Sequence, residues 1–187
     1  MSRLRVTKLP LAGLMLVSRQ RLSDERGFLS RMFCSETLAE AGWHKPISQI
    51  NITHTSNRGC IRGLHYQVPP FSEMKLVSCI RGEVIDVAVD LRANSPTFLR
   101  WHAETLSAEN ENALLIPEGF AHGFQTMTDD VEMLYFHSMP YTPASEAGLR
   151  FDDPLINIVW PLQVTEVSVR DQTHGLLSPA YKGIYAK

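Results

Sequence analysis

The feature that most constrains this sequence is its texture of short apolar runs. They alternate every second residue and are cut by turn residues, with no long amphipathic helix between them. Alternation at period two turns one side of an extended segment toward a core and the other toward solvent. Gln49 to Thr55 and Cys60 to Gln67 flank the turn Ser56-Asn57-Arg58-Gly59, and Pro69-Pro70 closes the second run. Lys75 to Ile80 and Glu83 to Leu91 flank Arg81-Gly82, which predicts a tight hairpin. Phe98 to Leu106, Ala113 to Ile116, Gly123 to Met127 and Val131 to Ser138 continue the series. Leu11 to Ser18 and Phe28 to Cys34 predict two earlier strands. Ser35 to Gly42 predicts a short helix with Ser35 as N-cap and Gly42 as its stop. From Asp152-Asp153-Pro154 onward the pattern gives way to loops with short helical pieces. Turns at this spacing predict an all-β fold, a two-sheet jelly-roll barrel with a few short helices, rather than a parallel α/β arrangement. No repeat, linker or composition shift divides the 187 residues, so the chain reads as a single domain over 1–187.

Composition narrows the partners. Lys+Arg 18 against Asp+Glu 20 leaves a net charge of -2, without the basic excess that a nucleic-acid partner requires. No apolar run approaches the ~20 residues of a membrane helix. The basic start, Met1 to Pro10, is followed by too short an apolar stretch for a signal peptide. Cys34, Cys60 and Cys79 are scattered, odd in number and free of any Cys-x-x-Cys pair. They read as reduced thiols, and the expected location is cytoplasmic.

Polar residues inside such strands are the ones to weigh for function. In Arg62-Gly63-Leu64-His65-Tyr66-Gln67, His65 and Arg62 are three apart and belong on opposite faces of a flat strand. Both reach one pocket only if the strand bulges, which is cheapest at Gly63; that small residue also leaves room for a ligand beside His65. In Glu83 to Asp90, Ile85, Val87 and Val89 share an apolar face and Asp86 sits on the other with Ala88. A carboxylate in so apolar a strand needs a cationic partner, either a histidine or Lys75. Tyr135 and His137 fall on one face of their strand, and a tyrosine across a pocket from a histidine is a candidate proton donor. Pro117-x-Gly119-x-x-His122 has the form of the second motif of cupin barrels. Their metal sites usually add a His-x-His and a Glu, yet the corresponding region here offers only His65, so no metal is expected.

Taken in order, many segments match one family. They are Asp24-Glu25-Arg26-Gly27-Phe28, Gln49-x-Asn51, Arg62 to Gln67, Lys75-Leu76-Val77, Arg81 to Asp90, Ser95 to Phe98, Leu106 to Asn110 and Pro117 to Phe124. Tyr135 with Tyr141, Asp153-Pro154 and Trp160-Pro161 complete the set. From about Leu11 to Asp171 the chain resembles the dTDP-4-dehydrorhamnose 3,5-epimerase family of nucleotide-sugar enzymes. The resemblance implies a cupin-like jelly roll, usually a homodimer, that needs no cofactor. It implies inversion at C3, C5 or both of a nucleotide-linked 4-keto-6-deoxyhexose, on a glycan-building route such as polysaccharide biosynthesis. A proton leaves the carbon beside the C4 ketone and returns from the other face. Such a reaction needs a base, an opposed acid and a cation at the enolate oxygen.

Carried over by position, the resemblance makes His65 the base, Asp171 the carboxylate that orients it, Tyr135 the acid and Lys75 the enolate-stabilising cation. His122 and Asp86 support the pocket floor. Arg26 and Arg62 resemble diphosphate clamps, Gln49 and Asn51 polar contacts to the nucleotide sugar, and Tyr141 a further substrate contact. In the family the segment around Arg26 reaches into the neighbouring subunit's pocket. The well-studied branch has Glu where this chain has Arg31, and the loop Thr53 to Gly59 is one residue longer here, adding His54 and Arg58. Two other readings keep the fold: a metal-dependent cupin enzyme built on His65, His122 and a carboxylate, and a non-catalytic sugar-binding barrel.

Overall fold

The computed structural model describes residues 3–185; the ends of the expected domain, 1–2 and 186–187, lie outside the described residues. Two six-stranded sheets face each other, antiparallel except for one pair in the second. The first has the order β1 (Leu4–Lys8), β2 (Met15–Arg19), β10 (Asn112–Ile116), β7 (Lys75–Arg81), β12 (Val131–His137), β5 (Gln49–Thr55). The second runs β13 (Glu146–Gly148), β6 (Cys60–Gln67), β11 (Phe120–Thr126), β8 (Glu83–Asp90), β9 (Trp101–Ser107), and β14 (Glu166–Val167) pairs in parallel with β6. A separate hairpin joins β3 (Leu22–Asp24) to β4 (Gly27–Leu29), and two short α-helices, α1 (Ser35–Ala39) and α2 (Val169–Thr173), flank the barrel. This is the expected jelly roll.

The alternation of the strands sorts the side chains into three apolar clusters. Val77, Cys79, Val84, Ala88, Leu106, Leu114, Phe120, Phe124 and Met133 meet between the sheets. Leu76, Leu115 and Phe136, one residue out of phase, point outward and are covered by Leu38 and Trp43 around α1. Val87 and Val89 point outward from the second sheet and pack under Leu149, Ile156, Trp160 and Tyr181 of the C-terminal segment. Both faces of β7 and β8 are therefore covered, which is why each strand carries apolar residues on both faces.

Several boundaries differ from the sequence expectation. Over 11–14 the chain is a turn closed by Leu14 N–H to Leu11 C=O at 3.1 Å, and Leu11 and Leu14 enter the core from it, so β2 starts only at Met15. Only Phe28 and Leu29 of the expected run Phe28 to Cys34 pair, because the partner is the three-residue β3. Cys34, not Ser35, holds the N-cap position, with an extended backbone and no side-chain cap bond. The helix ends at Ala39, and Gly42, at φ +99°, lets Trp43 N–H return to Leu38 C=O. Phe98–Arg100 lies outside β9 because Leu99 takes φ 59° in a turn. β1, read from sequence only as a basic start, is an edge strand; charged residues on it discourage pairing with another chain. Cys34, Cys60 and Cys79 are free thiols, as expected.

Candidate functional site

The site opens between the sheets. A cavity of about 190 Å³ is lined by Asn51 and Thr53 of β5, Arg62 and His65 of β6, Lys75 of β7, His122 and Phe124 of β11, Tyr135 and His137 of β12, and Arg170 of α2. That Arg62 and His65 share it follows from a local irregularity. His122 pairs with His65 but Phe124 pairs with Arg62, so β6 carries one residue more than β11 across this step. Gly63 takes φ +120° there, a conformation that L side chains rarely adopt. The bulge expected from sequence is present. The room expected beside His65 is not: a Cβ on Gly63 would lie 2.7 Å from Gly123 Cα and 2.8 Å from His122 O, so the β11 backbone fills that space.

His65 Nε2 lies 2.7 Å from Asp171 Oδ1, and the other carboxylate oxygen accepts the Gly63 N–H at 3.0 Å. Ser168 caps α2 by accepting the Asp171 N–H, which fixes the carboxylate at the helix start. Burial alone pushes the Asp171 carboxyl upward. The His65 and Gly63 hydrogen bonds and the nearby Arg170 charge outweigh it and hold the group well below the ordinary carboxylate range. Asp171 therefore stays ionised beside the His65 ring.

Arg170 was not anticipated from sequence. Its Nη2 lies 3.0 Å from His65 Nε2 and its Nη1 3.0 Å from Glu146 Oε1. The signal was available: a basic residue adjacent to Asp171 at the start of a short helix. Among the described residues, His65, Asp171 and His174 bring potential ligand atoms within 4.8 Å of one another. The Arg170 guanidinium against His65 competes with any cation there. His122, the other histidine of the cupin-enzyme reading, has its Nε2 at 3.0 and 2.9 Å from the two oxygens of Asp86.

Asp86 thus finds its partner in a histidine and not in Lys75. Its carboxylate is fully buried, and burial raises its pKa against the opposing pull of His122. The His122 ring stands edge-on to Tyr135 with centroids 6.2 Å apart, and the His137 ring lies parallel to Tyr135 at 6.0 Å and 20°. Burial, aided by the Asp86 charge, pushes the Tyr135 phenol upward, so it holds its proton as a donor. Lys75 is buried, with Nζ 3.1 Å from Glu73 Oε1 and 3.4 Å from the His65 carbonyl.

The remaining expected residues fall outside the cavity lining. Gln49 Nε2 donates to Asn51 Oδ1 at 3.0 Å and its Oε1 accepts the Tyr141 N–H. Tyr141 is exposed and its hydroxyl donates to Glu146 at 2.8 Å. Arg26 is brought to no site of its own chain. It lies at the β3–β4 turn, exposed, and pairs with Asp24 at 2.6 Å. Arg31 is exposed as well. The longer loop touches the site through the His54 carbonyl, which accepts Arg62 Nη1 at 3.3 Å.

His65, paired with Asp171, thus lines one cavity with the Tyr135 phenol and the buried Lys75 ammonium. The sequence profile described as dTDP-4-dehydrorhamnose 3,5-epimerase matches residues 8–178. The chain belongs to the dTDP-4-dehydrorhamnose 3,5-epimerase family. Among family members, it is 41% identical over 167 residues to the dTDP-4-dehydrorhamnose 3,5-epimerase of Shigella flexneri, covering 89% of this chain and 92% of that one. It is 35% identical over 178 residues to a dTDP-4-dehydrorhamnose 3-epimerase of Streptomyces niveus, covering 95% and 86%. The family fold is shared with the crystal structure of dTDP-6-deoxy-D-glucose-3,5-epimerase from Legionella pneumophila in complex with dTDP-4-keto-L-rhamnose. That match has a TM-score of 0.90 at 35% identity and covers 98% of this chain and 99% of that one. Among the described residues no helix is long and apolar enough to cross a membrane.

Proposed function

We propose that this chain is a cofactor-independent epimerase of a dTDP-linked 4-keto-6-deoxyhexose, inverting C3, C5 or both. The observation that carries this reading is the His65–Asp171 pair opening on the same cavity as Lys75 and Tyr135. His65 removes the proton beside the C4 ketone, and the ionised Asp171 stabilises the imidazolium that results. Negative charge develops on the ketone oxygen, where the buried Lys75 ammonium offsets it at low local dielectric. Tyr135, its phenol held protonated, returns a proton to the opposite face of the carbon. Arg62 and Arg170 give the cavity the cationic rim that a diphosphate requires.

The protein works as a homodimer in this reading. The β3–β4 hairpin exposes Leu22, Phe28 and Leu29, with Phe28 60% exposed, and carries Arg26 at its turn. Such a surface fits a second copy, into whose cavity Arg26 would bring a third guanidinium. Free thiols and a nucleotide-sugar substrate support action in the cytoplasm. The test is incubation with dTDP-4-keto-6-deoxyglucose in deuterated water, followed by proton NMR. Deuterium should enter at C3 or C5, and His65→Asn should abolish its entry. Tight binding of the nucleotide sugar with no exchange would replace this reading with that of a sugar-binding barrel.

A further inference from the structure

Along one side of the cavity runs a line of hydrogen bonds whose donors point toward Glu73 from Tyr141 onward, met there by Lys75 from the other end. Tyr141 N–H donates to Gln49 Oε1 at 3.0 Å, and Gln49 Nε2 donates to Asn51 Oδ1 at 3.0 Å. Asn51 Nδ2 lies 3.4 Å from His137 Nε2, and His137 Nδ1 lies 2.8 Å from Glu73 Oε2. The remaining oxygen, Glu73 Oε1, takes the Lys75 ammonium at 3.1 Å. Glu73 and His137 are nearly enclosed, with side chains 9% and 12% exposed, and Lys75 is 10% exposed. A buried carboxylate costs several kcal/mol unless its partners are in place, and here the two partners are groups of the site itself.

The polarity of the line fixes the tautomer of His137. An ionised carboxylate only accepts, so Nδ1 carries the hydrogen; an amide nitrogen only donates, so Nε2 offers its lone pair. Glu73 is kept ionised in spite of burial by the His137 hydrogen bond and the Lys75 charge, which bring its carboxyl below the ordinary range. The groups facing it are thus His137 from β12 and Lys75 from β7. The His137 ring in turn runs nearly parallel to that of Tyr135, with centroids 6.0 Å apart.

We propose that Glu73 and His137 are positioning residues: the Glu73 carboxylate holds the Lys75 ammonium at the cavity and, through the Nδ1–H tautomer of His137, links it to the side chains of Asn51 and Gln49 and to the imidazole ring that neighbours Tyr135. The proposal rests on the epimerase reading for the roles of Lys75 and Tyr135. It makes one carboxylate set the separation of the enolate-stabilising cation and the proton donor.

Two measurements test it on the intact protein. Nitrogen-15 spectra of the histidine side chains, without substrate, should show His137 in the Nδ1–H form, and Glu73→Gln should shift it toward Nε2–H. A wild-type His137 in the Nε2–H form overturns the proposal whatever the enzyme turns out to catalyse. The second is a double-mutant cycle in solvent exchange. Glu73→Gln should lower kcat by about 10- to 100-fold with KM for the nucleotide sugar within about twofold, and should lower it no further in a Lys75→Met background. Independent, multiplying losses, or a loss in KM with kcat retained, overturn it. His137→Phe, which keeps a ring on Tyr135 but breaks the link to Glu73, should reproduce the kcat loss. Wild-type protein that does not exchange would refute the epimerase reading while leaving the tautomer result to decide on Glu73.

Discussion

Adding one methyl group at Gly63 should break both the fold and the site, and the size of the effect follows from the backbone. Gly63 has φ +120°, and a Cβ there meets Gly123 Cα at 2.7 Å and His122 O at 2.8 Å. Neither obstacle is a flexible side-chain end; both are the β11 backbone. Holding an L residue in such a conformation costs about 1–3 kcal/mol, and forcing a methyl into packed backbone costs about 1–3 kcal/mol more. Stiffening the unfolded chain returns roughly 0.4–1 kcal/mol of this. Gly63→Ala should therefore destabilise by about 2–5 kcal/mol, a large share of the ~5–15 kcal/mol that holds a domain together. In urea, with a slope near 1–3 kcal/mol/M, the midpoint should fall by on the order of 1–2 M. Gly123→Ala is the control. Its Cβ would lie 2.7 Å from Arg62 O and 3.1 Å from Gly63 Cα, but its φ is ordinary, so only the packing cost applies. It should lose about 1–3 kcal/mol and less than Gly63→Ala. A Gly63→Ala protein within about 0.5 kcal/mol of wild type, a range typical of unstrained surface changes, would refute the account of why Arg62 and His65 share a cavity.

Two further outcomes follow from the buried carboxylates. Asp171→Asn should reduce turnover by about 10³–10⁴-fold, on the scale seen when a histidine loses the carboxylate that sets its tautomer, with nucleotide-sugar binding retained. Because the folded pKa of Asp171 is depressed, its contribution to stability is full above the unfolded value near ~4 and is lost as pH falls from there toward the folded value. Acid unfolding curves should show that slope in the wild type and a shallower one in Asp171→Asn. At the other pair, His122→Phe leaves the buried Asp86 without its partner and should cost about 3–5 kcal/mol at neutral pH. Adding Asp86→Asn should recover part of this, and a measured loss no larger than that of an ordinary surface change would contradict the buried pairing.

How much of this was readable in the sequence depended on where the information sat. β5, β6, β8 and β12 were legible nearly to the residue because alternation and flanking turns are local properties. β13 and β14 were not, since each is short and gains its identity only from β6, far earlier in the chain; β1, which pairs with the next strand β2, is five residues long and carries Arg5 and Lys8. Leu11 and Leu14 imitated a strand because a turn that plugs the core also needs apolar residues two or three apart. Among site residues, His65, Lys75, Tyr135, Asn51, Arg62 and His122 do meet in one cavity, and Asp171 joins through His65. Glu73 was passed over as one acidic residue in a Pro-Pro-Phe-Ser-Glu turn, although its place two residues before Lys75 put it on the same side of an extended chain. Arg26 could be placed by resemblance alone, because no contact within its own chain draws it inward.

The carboxylate beside His65 comes from residue 171, on a segment that first has to lie across the outer face of the second sheet. A chain emerging from the ribosome can therefore form β5 to β12, with its imidazole, ammonium and phenol, while the imidazole still lacks its counter-charge. A cut ahead of Ser168 would remove Asp171 and Arg170 together, so one clip strips the imidazole of its carboxylate and the cavity of one of its two guanidinium groups.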